Sequence, residues 1–409
     1  MQIGRPADRR ARLGLVGLSG YAGEICKHLR RASAADASFV DFRGIFAIDA
    51  PHHAATLEQL AGEGVVAFDD FDAMLASDEI DGVWLPLPIP LHREMAIRAI
   101  EAGKHVMLEK PVAGSVADHL AIYDAQQQAG VEVLVGFQDI YPASTIALKR
   151  DLLAGRFGTP QCFSVCGCWP RDDAYFARNH WAGRRKVAGV AVNDSPLSNA
   201  MAHFVNLLLY LLGPTENESA RVKSLACETW RTRPIETFDT CSLKLELGDG
   251  PTAIPGTVVL SHATEQSVEP LVQIDTDRCD IRWAINQPTT FQTEQATVEP
   301  ARLQGRARPA MVAALGQRIL EGQAARCQVA DLRNSLSHTI IVDAVSRVEQ
   351  TIDVEPSRVA KLAPAMLEAA MKQVTLLQSA VDLPPASARF DNPTTELLGE
   401  RTGEFFAAD

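Results

Sequence analysis

Residues 13–24 read LGLVGLSGYAGE, a short apolar run that breaks into glycines and passes without a linker into a helix-like segment. A strand must here turn tightly into a helix, and glycine is the residue that takes up positive φ and lets another group approach the backbone. The unpaired amides at the start of such a helix attract an anion, and a pyrophosphate fits them. The spacing is GxxGxxG through Gly17, Gly20 and Gly23. Read against GxGxxG, Ser19 takes the second glycine position and Ala22 the third. Asp49 closes the next apolar run, Phe42 to Ile48, and comes 29 residues after Gly20. That is longer than the usual ~20, and a loop through Ala32 to Asp41 accounts for the excess. An aspartate there accepts hydrogen bonds from ribose hydroxyls and repels a 2′-phosphate, which favours NAD over NADP.

The alternation continues downstream. Asp81 to Leu85 and His105 to Leu108 read as strands, separated by a helix from His92 to Ala102 that stops at Gly103. Ser115 and Asp118 have capping-box spacing before a helix that runs to Gly130, where the strand Val131 to Phe137 begins. Strands alternating with helices build an α/β fold, an N-terminal Rossmann doubly wound parallel sheet over residues 1–142. After a helix from Ile146 to Ala154 the strand-like segments follow one another: Gln161 to Trp169, Val222 to Trp230, Thr240 to Leu247, Thr257 to His262, Leu271 to Asp275 and Cys279 to Ala284. They predict a second α+β domain over 143–355, built on a large, mostly antiparallel sheet. Ser195-Pro196 and Gly213-Pro214 delimit a helix from Leu197 to Leu212, and helices are expected over Met311 to Leu320 and Leu332 to Thr351. A C-terminal helix, Ala363 to Ser379, and a tail occupy 356–409.

Two domains suit 409 residues, since single cores stop growing at about 250 to 300. The 39 Lys and Arg against 51 Asp and Glu leave a charge of −12, which repels a phosphate backbone and argues against nucleic acid as a partner. No stretch reaches the roughly 18 apolar residues of a membrane span. Arg9 and Arg10 precede an apolar run too short for a secretion signal, so a cytoplasmic location is expected. The eight cysteines are scattered, as reduced thiols would be. Cys162, Cys166 and Cys168 have the period-two spacing of one strand face, and without a paired CxxC no metal site is expected.

The segment IDGVWLPLPIPLHREMAIRAIEAGKHVMLEKPVAGS, followed by VEVLVGFQ, resembles the Gfo/Idh/MocA family of glucose-fructose oxidoreductase and inositol dehydrogenase-like enzymes. Pro88, His92, the run from Ala102 to Val106, Glu109-Lys110-Pro111, Gly136-Phe137 and Gly155 to Pro160 occur in the family's order and cover most of residues 12–350. The resemblance implies an NAD(P)-dependent dehydrogenase or reductase acting on a secondary alcohol or ketone of a sugar, polyol or related hydroxy compound. It places Lys110 where nicotinamide and substrate meet and makes a cis bond before Pro111 plausible. It groups Gly17, Ser19, Gly20, Tyr21, Ala22, Asp49, Pro88, His92, Glu109, Lys110 and Gln138 as cofactor contacts. Two other readings stay open: a glycosidase of the same family that regenerates its NAD, and a non-enzymatic dinucleotide sensor.

The helix after Pro196 resembles the family's helix with a catalytic histidine, here His203. Asn199, four residues earlier, stands where many members carry an aspartate, and Asn206 also replaces an acid. On one α-helix Asn199 and His203 share a face, so an amide would orient the imidazole without stabilising its charged form. Upstream, RDDAYFARNHWAGRRK offers Tyr175, Arg178, Asn179 and Trp181 as substrate contacts: aromatic faces stack on sugar rings, and polar groups bind hydroxyls. Arg178, Arg184 or Arg185 could pair a carboxylate or phosphate. A solvated basic loop is the alternative. The resemblance further implies a homodimer or homotetramer packed through an open face of the second sheet.

Overall fold

The structure, a computed structural model, describes residues 9–36, 38–248, 253–285, 287–293, 297–298, 307–322, 330–348, 351–379, 381–385 and 387–406. Two compact units divide the chain: Met1–Val112, Ala117–Pro142 and Arg306–Leu332 form the first, and Ala113–Val116, Ala143–Gly305 and Arg333–Asp409 the second.

The first unit holds six parallel strands: β1 (Ala11–Val16), β2 (Val40–Phe46), β3 (Val66–Ala67), β4 (Gly82–Leu85), β5 (His105–Leu108) and β6 (Val133–Val135). Their order, β3-β2-β1-β4-β5-β6, is that of a doubly wound sheet with β1 and β4 at the point where the order reverses. Helices α1 (Tyr21–Ser33), α2 (Ala54–Gly62), α3 (Phe71–Ala76), α4 (His92–Glu101) and α5 (Val116–Ala129) connect them. The central strands are buried along their length, as a sheet covered on both faces demands. Gly103 and Gly130, at φ 73° and 67°, are the left-handed stops that follow α4 and α5. The sequence pattern missed β3, α2 and α3. β3 is two exposed residues, too short to show a period.

The second unit begins with α6 (Ala143–Leu153), β7 (Pro160–Cys168), α7 (Asp173–Ala177), and a two-stranded ribbon of β8 (Lys186–Val187) and β9 (Val190–Ala191). Pro196–Ala200 form a π-helical turn, with the Met201 N–H on the Pro196 carbonyl, and α8 (Ala202–Leu211) starts only after a break at Met201. The single helix expected from Leu197 to Leu212 is therefore two elements: a wider i→i+5 turn that opens on the Ser195–Ser198 capping box, and then α8.

The strands β10 (Val222–Arg231), β11 (Thr240–Leu247), β12 (Ile254–Ser261), β13 (Val268–Thr276), β14 (Asp280–Ala284), β15 (Thr290–Gln292) and β16 (Thr297–Val298) join β7 in a ten-stranded sheet. Helices α9 (Ala307–Glu321) and α10 (Leu332–Ser346) follow, then β17 (Ile352–Asp353), α11 (Pro356–Ala360), α12 (Ala363–Met371) and β18 (Ser387–Asp391). The sheet order is β16-β15-β14-β13-β7-β12-β11-β10-β17, with β18 also on β10. Most pairs are antiparallel; β7 with β12 and β10 with β17 are parallel.

Two expectations change. Helix α9, placed by its sequence position inside the second domain, belongs to the first unit. It lies so close to the start of β2 that a Cβ on Gly316 would come within 2.8 Å of the Phe39 carbonyl, and its Arg318 pairs with Glu132 at 2.7 Å. The sheet face expected to be open is also covered. Cys166, Cys168, Val259 and Trp230 pack with Met366, Ala369 and Ala370 of α12, while Gly167, pointing the other way, faces Met201. The C-terminal extension thus fills the apolar surface over β7 and β12 that would otherwise call for a partner subunit. Seven cysteines are free thiols; Cys327 lies outside the described residues.

Candidate active site

In the first unit each glycine of the turn has a physical reason. Gly17 and Gly20 have φ of 92° and 57°, and a Cβ on Gly23 would sit 2.9 Å from the Leu18 carbonyl. Gly20 is the N-cap of α1 and no side chain caps that end, so its first amides remain for an anion. Ala22 is buried beneath the turn and Tyr21 is exposed beside it. Ser19 Oγ lies 2.8 Å from His53 Nε2, and His52 Nδ1 lies 2.7 Å from Asp49 Oδ1. Asp49 stands three residues past β2 with its carboxylate more than half exposed. His52 and His53 thus tie the acidic end of β2 to the glycine turn. Sequence reading passed over them; the signal was APHH directly after Asp49.

Lys110 is half-buried just beyond the carboxyl end of β5, and its bond to Pro111 is cis. Two groups grouped with the cofactor contacts point inward instead. The Glu109 carboxyl accepts from Trp84 Nε1 and from the Lys110 N–H, each at 3.3 Å, and Gly136 leaves it room: a Cβ there would come within 2.5 Å of Oε2. Burial raises the Glu109 pKa to about 7 against the pull of Lys110. His92 is 1% exposed, with Nδ1 2.8 Å from the Pro111 carbonyl and Nε2 2.8 Å from that of Leu87. Burial lowers its pKa despite those carbonyls. Glu109 and His92 hold the loops that carry Pro88 and Lys110 and present no free edge to a ligand. Pro88 and Gln138 are half-buried, at the starts of short 3₁₀ turns after β4 and β6.

Arg308, in the first turn of α9, was missed because nothing near it in sequence marks it. Its guanidinium lies 5.7 Å from the Tyr21 ring centroid and within electrostatic reach of Glu109 and Asp139. Asp139 is buried, and this raises its pKa to about 7.

In the second unit Asn199 donates its amide to Asp194 Oδ1 at 2.8 Å. Asp194 is 3% exposed, also accepts the Gly183 N–H at 2.7 Å, and lies 3.9 Å from Arg178. A carboxylate therefore does stand beside the histidine-bearing segment, but it comes from the residue before Ser195. The His203 ring contacts Phe204, whose own ring meets Trp169 edge-on at 5.6 Å. Asn206 is fully buried.

Arg178 lies over Tyr175 at 3.7 Å and near Trp181 at 5.1 Å. Asn179 spends its carbonyl oxygen on the N–H groups of Trp181 and Ala182, shaping the turn. Arg184 pairs with Glu236 at 2.6 Å, and Arg185 binds the Ser346 carbonyl at 2.5 Å. Of the three candidate arginines, only Arg178 stays among the aromatic rings.

The first unit is thus a dinucleotide-binding α/β unit in architecture, with a positioned lysine at the carboxyl edge of its sheet. Residues 11–137 match the family described as oxidoreductases with an NAD-binding Rossmann fold. The match is to the Rossmann unit of the Gfo/Idh/MocA oxidoreductases and is confined to these residues of the first unit. The chain is 31% identical over 102 residues to dTDP-3,4-didehydro-2,6-dideoxy-alpha-D-glucose 3-reductase of Streptomyces violaceoruber, a match covering 25% of this chain and 30% of that protein. It is 29% identical over 250 residues to inositol 2-dehydrogenase of Klebsiella pneumoniae, covering 56% of this chain and 68% of the relative. Among solved structures, the WlbA dehydrogenase of Bordetella pertussis in complex with NADH and UDP-GlcNAcA shares its fold at a TM-score of 0.67 and 24% identity, over 83% of this chain and 96% of that one. No helix among the described residues is long and apolar enough to cross a membrane.

Proposed function

We propose that the protein is an NAD-dependent oxidoreductase acting on a secondary alcohol or ketone of a sugar, polyol or related hydroxy compound. The observation that carries this reading is in the first unit: an uncapped helix start behind Gly17 and Gly20, and Lys110 fixed at the edge of the same sheet by Glu109 and the His92 clamp. These residues fit a dinucleotide: the α1 amides would hold its pyrophosphate, and Asp49 its adenosine ribose. When bound, the nicotinamide supplies the hydride acceptor or donor. The Lys110 ammonium would donate a hydrogen bond to the reacting oxygen and stabilise negative charge developing there. His203 would exchange the hydroxyl proton, and Tyr175, Arg178 and Trp181 would form the substrate wall. A homodimer or homotetramer would have to pair through a surface other than the face that α12 covers. The cytoplasm is the setting we assign to it.

Incubation of the protein and NAD with a panel of polyols, aldoses and uronic acids should yield NADH with at least one of them. Lys110→Ala should then lower turnover by a hundredfold or more while NAD affinity stays within a fewfold. NADH formation undiminished in that variant would refute the role of Lys110. Turnover of glycosides without net NADH would favour a hydrolase, and NAD binding without any turnover a sensor.

A further inference from the structure

Around Tyr175 the second unit gathers two guanidinium groups on one ring. Arg178 lies 3.7 Å from the ring centroid and Arg171 4.8 Å. The carboxylate near Arg178, Asp194, is 3.9 Å away and already accepts hydrogen bonds from Gly183 and Asn199. Arg171 forms no ion pair with the described residues, and its Nε is buried without a hydrogen bond among them. Arg178 spends Nη1 on the Tyr175 carbonyl at 2.5 Å, so the rest of its edge and that of Arg171 are what a carboxylate or phosphate would meet, and two guanidiniums drawn to one ring repel unless an anion joins them.

His262 adds a group of the opposite character. It is 2% exposed, its ring centroid is 5.7 Å from that of Tyr175, and its Nδ1 lies 2.7 Å from the Trp169 carbonyl. A carbonyl only accepts, so Nδ1 carries the hydrogen. Burial, reinforced by Arg171, Arg178 and Arg233, lowers the His262 pKa to about 4, and the ring is neutral at physiological pH. Nε2 is then an acceptor, and it is buried with no hydrogen-bond partner among the described residues. A buried polar atom without a partner calls for an explanation, and a ligand hydroxyl supplies one.

The cluster is also well placed. Arg171 and His262 follow the carboxyl ends of the adjacent parallel strands β7 and β12, where the Arg171 N–H meets the His262 carbonyl at 2.9 Å. One route joins it to α8, which carries His203, from Arg171 through Trp169 to Phe204, and another runs from Arg178 through Asp194 to Asn199 in the π-helical turn before α8.

We infer that Arg171 and Arg178 form an anion subsite, with His262 as hydroxyl acceptor beside it, and that the substrate is a hydroxylated anion, a sugar acid or a sugar phosphate. This rests on the oxidoreductase reading for the word substrate, but the subsite can be tested by binding alone. Calorimetric titration of the full chain with D-glucuronate, D-glucose 6-phosphate and D-glucose should show one or both anions binding at least tenfold more tightly than the neutral sugar. Arg171→Gln should bring that ratio close to one, and Arg171→Lys should keep part of it; circular dichroism checks that both variants are folded. The anion that binds more tightly identifies the group recognised. Equal binding of all three sugars, binding of none, or a ratio that Arg171→Gln leaves unchanged would overturn the subsite. If the anions bind through Arg171 but no compound yields NADH, the oxidoreductase reading fails and the subsite stands. If glucose is oxidised as readily as the anions, the subsite fails and that reading stands.

Discussion

Asn199 donates its amide to the buried Asp194, and this reverses what an acid at position 199 would do. With an isolated histidine as neighbour, Asn199→Asp would stabilise imidazolium. With Asp194 Oδ1 only 2.8 Å away, the new carboxylate meets another, and two such groups cannot both stay ionised at low cost. Asn199→Asp should therefore destabilise the protein by about 2 kcal/mol or more at pH 8, the scale of a buried polar group left unmatched. The loss should shrink towards pH 5, because the pair binds a proton more tightly folded than unfolded. Denaturant melts at the two pH values test this, and a variant as stable as the parent at pH 8 refutes the contact. Glu109 supplies a second pH dependence. Its pKa rises from 4.5 to about 7 on folding, so its contribution is fully present below pH 4.5 and is lost as pH climbs through 7. The apoprotein should lose up to about 3 kcal/mol from this group across that window, at about 1.4 kcal/mol per pH unit. Asp139 acts in the same direction. Glu109→Gln should flatten the stability profile between pH 5 and 7; an unchanged slope would mean that Glu109 is ionised in the folded protein.

Helix α9 shows how an element can belong to a unit far away in sequence. Its buried Met311, Val312 and Leu315 form an apolar stripe, and Gly316 permits the closest approach, with Phe39 and Val40 side chains 2.7 Å from where a Cβ would stand. Gly316→Val forces that contact apart. It should destabilise the first unit by roughly 1 to 3 kcal/mol, the usual cost of overpacking, and weaken NAD binding because Arg308, on the same helix, sits against Tyr21 at the start of α1, whose amides would hold the pyrophosphate. Urea titration followed by NAD calorimetry reads both effects. Wild-type values in both would show that α9 does not pack on β2.

For the whole molecule, the division into units makes a claim about cooperativity. Binding to one unit stabilises what folds with it, by about 2.7 kcal/mol at a hundredfold excess over Kd. Hydrogen exchange with saturating NAD should therefore slow in 307–321 together with 11–46, while 268–284, closer in sequence to α9, changes less. Slowing confined to 11–137 would remove α9 from the cofactor-binding unit. Covering of the β7 and β12 face by α12 is a second consequence of the complete chain. The burial of Met366, Ala369 and Ala370 there covers the β7 and β12 part of the face through which the family resemblance implied a subunit contact.

Local chemistry was legible in the residues themselves. Glycines with positive φ, left-handed stops at Gly103 and Gly130, and apolar runs of strand length all act within a few residues of chain, so the Rossmann unit and the strands of the second sheet could be read directly. The Lys110 motif was legible for the same reason. Contacts between distant segments could not be read, because no local pattern encodes them. Tertiary structure alone turned Glu109 and His92 inward, gave Asn199 to Asp194, committed Arg184 and Arg185 to other partners, returned α9 to the first unit and laid α12 over the sheet. It also brought Arg171 and His262, from the ends of two strands 91 residues apart, to the same aromatic ring. Periodicity tells which face of an element is buried; only packing decides what covers it.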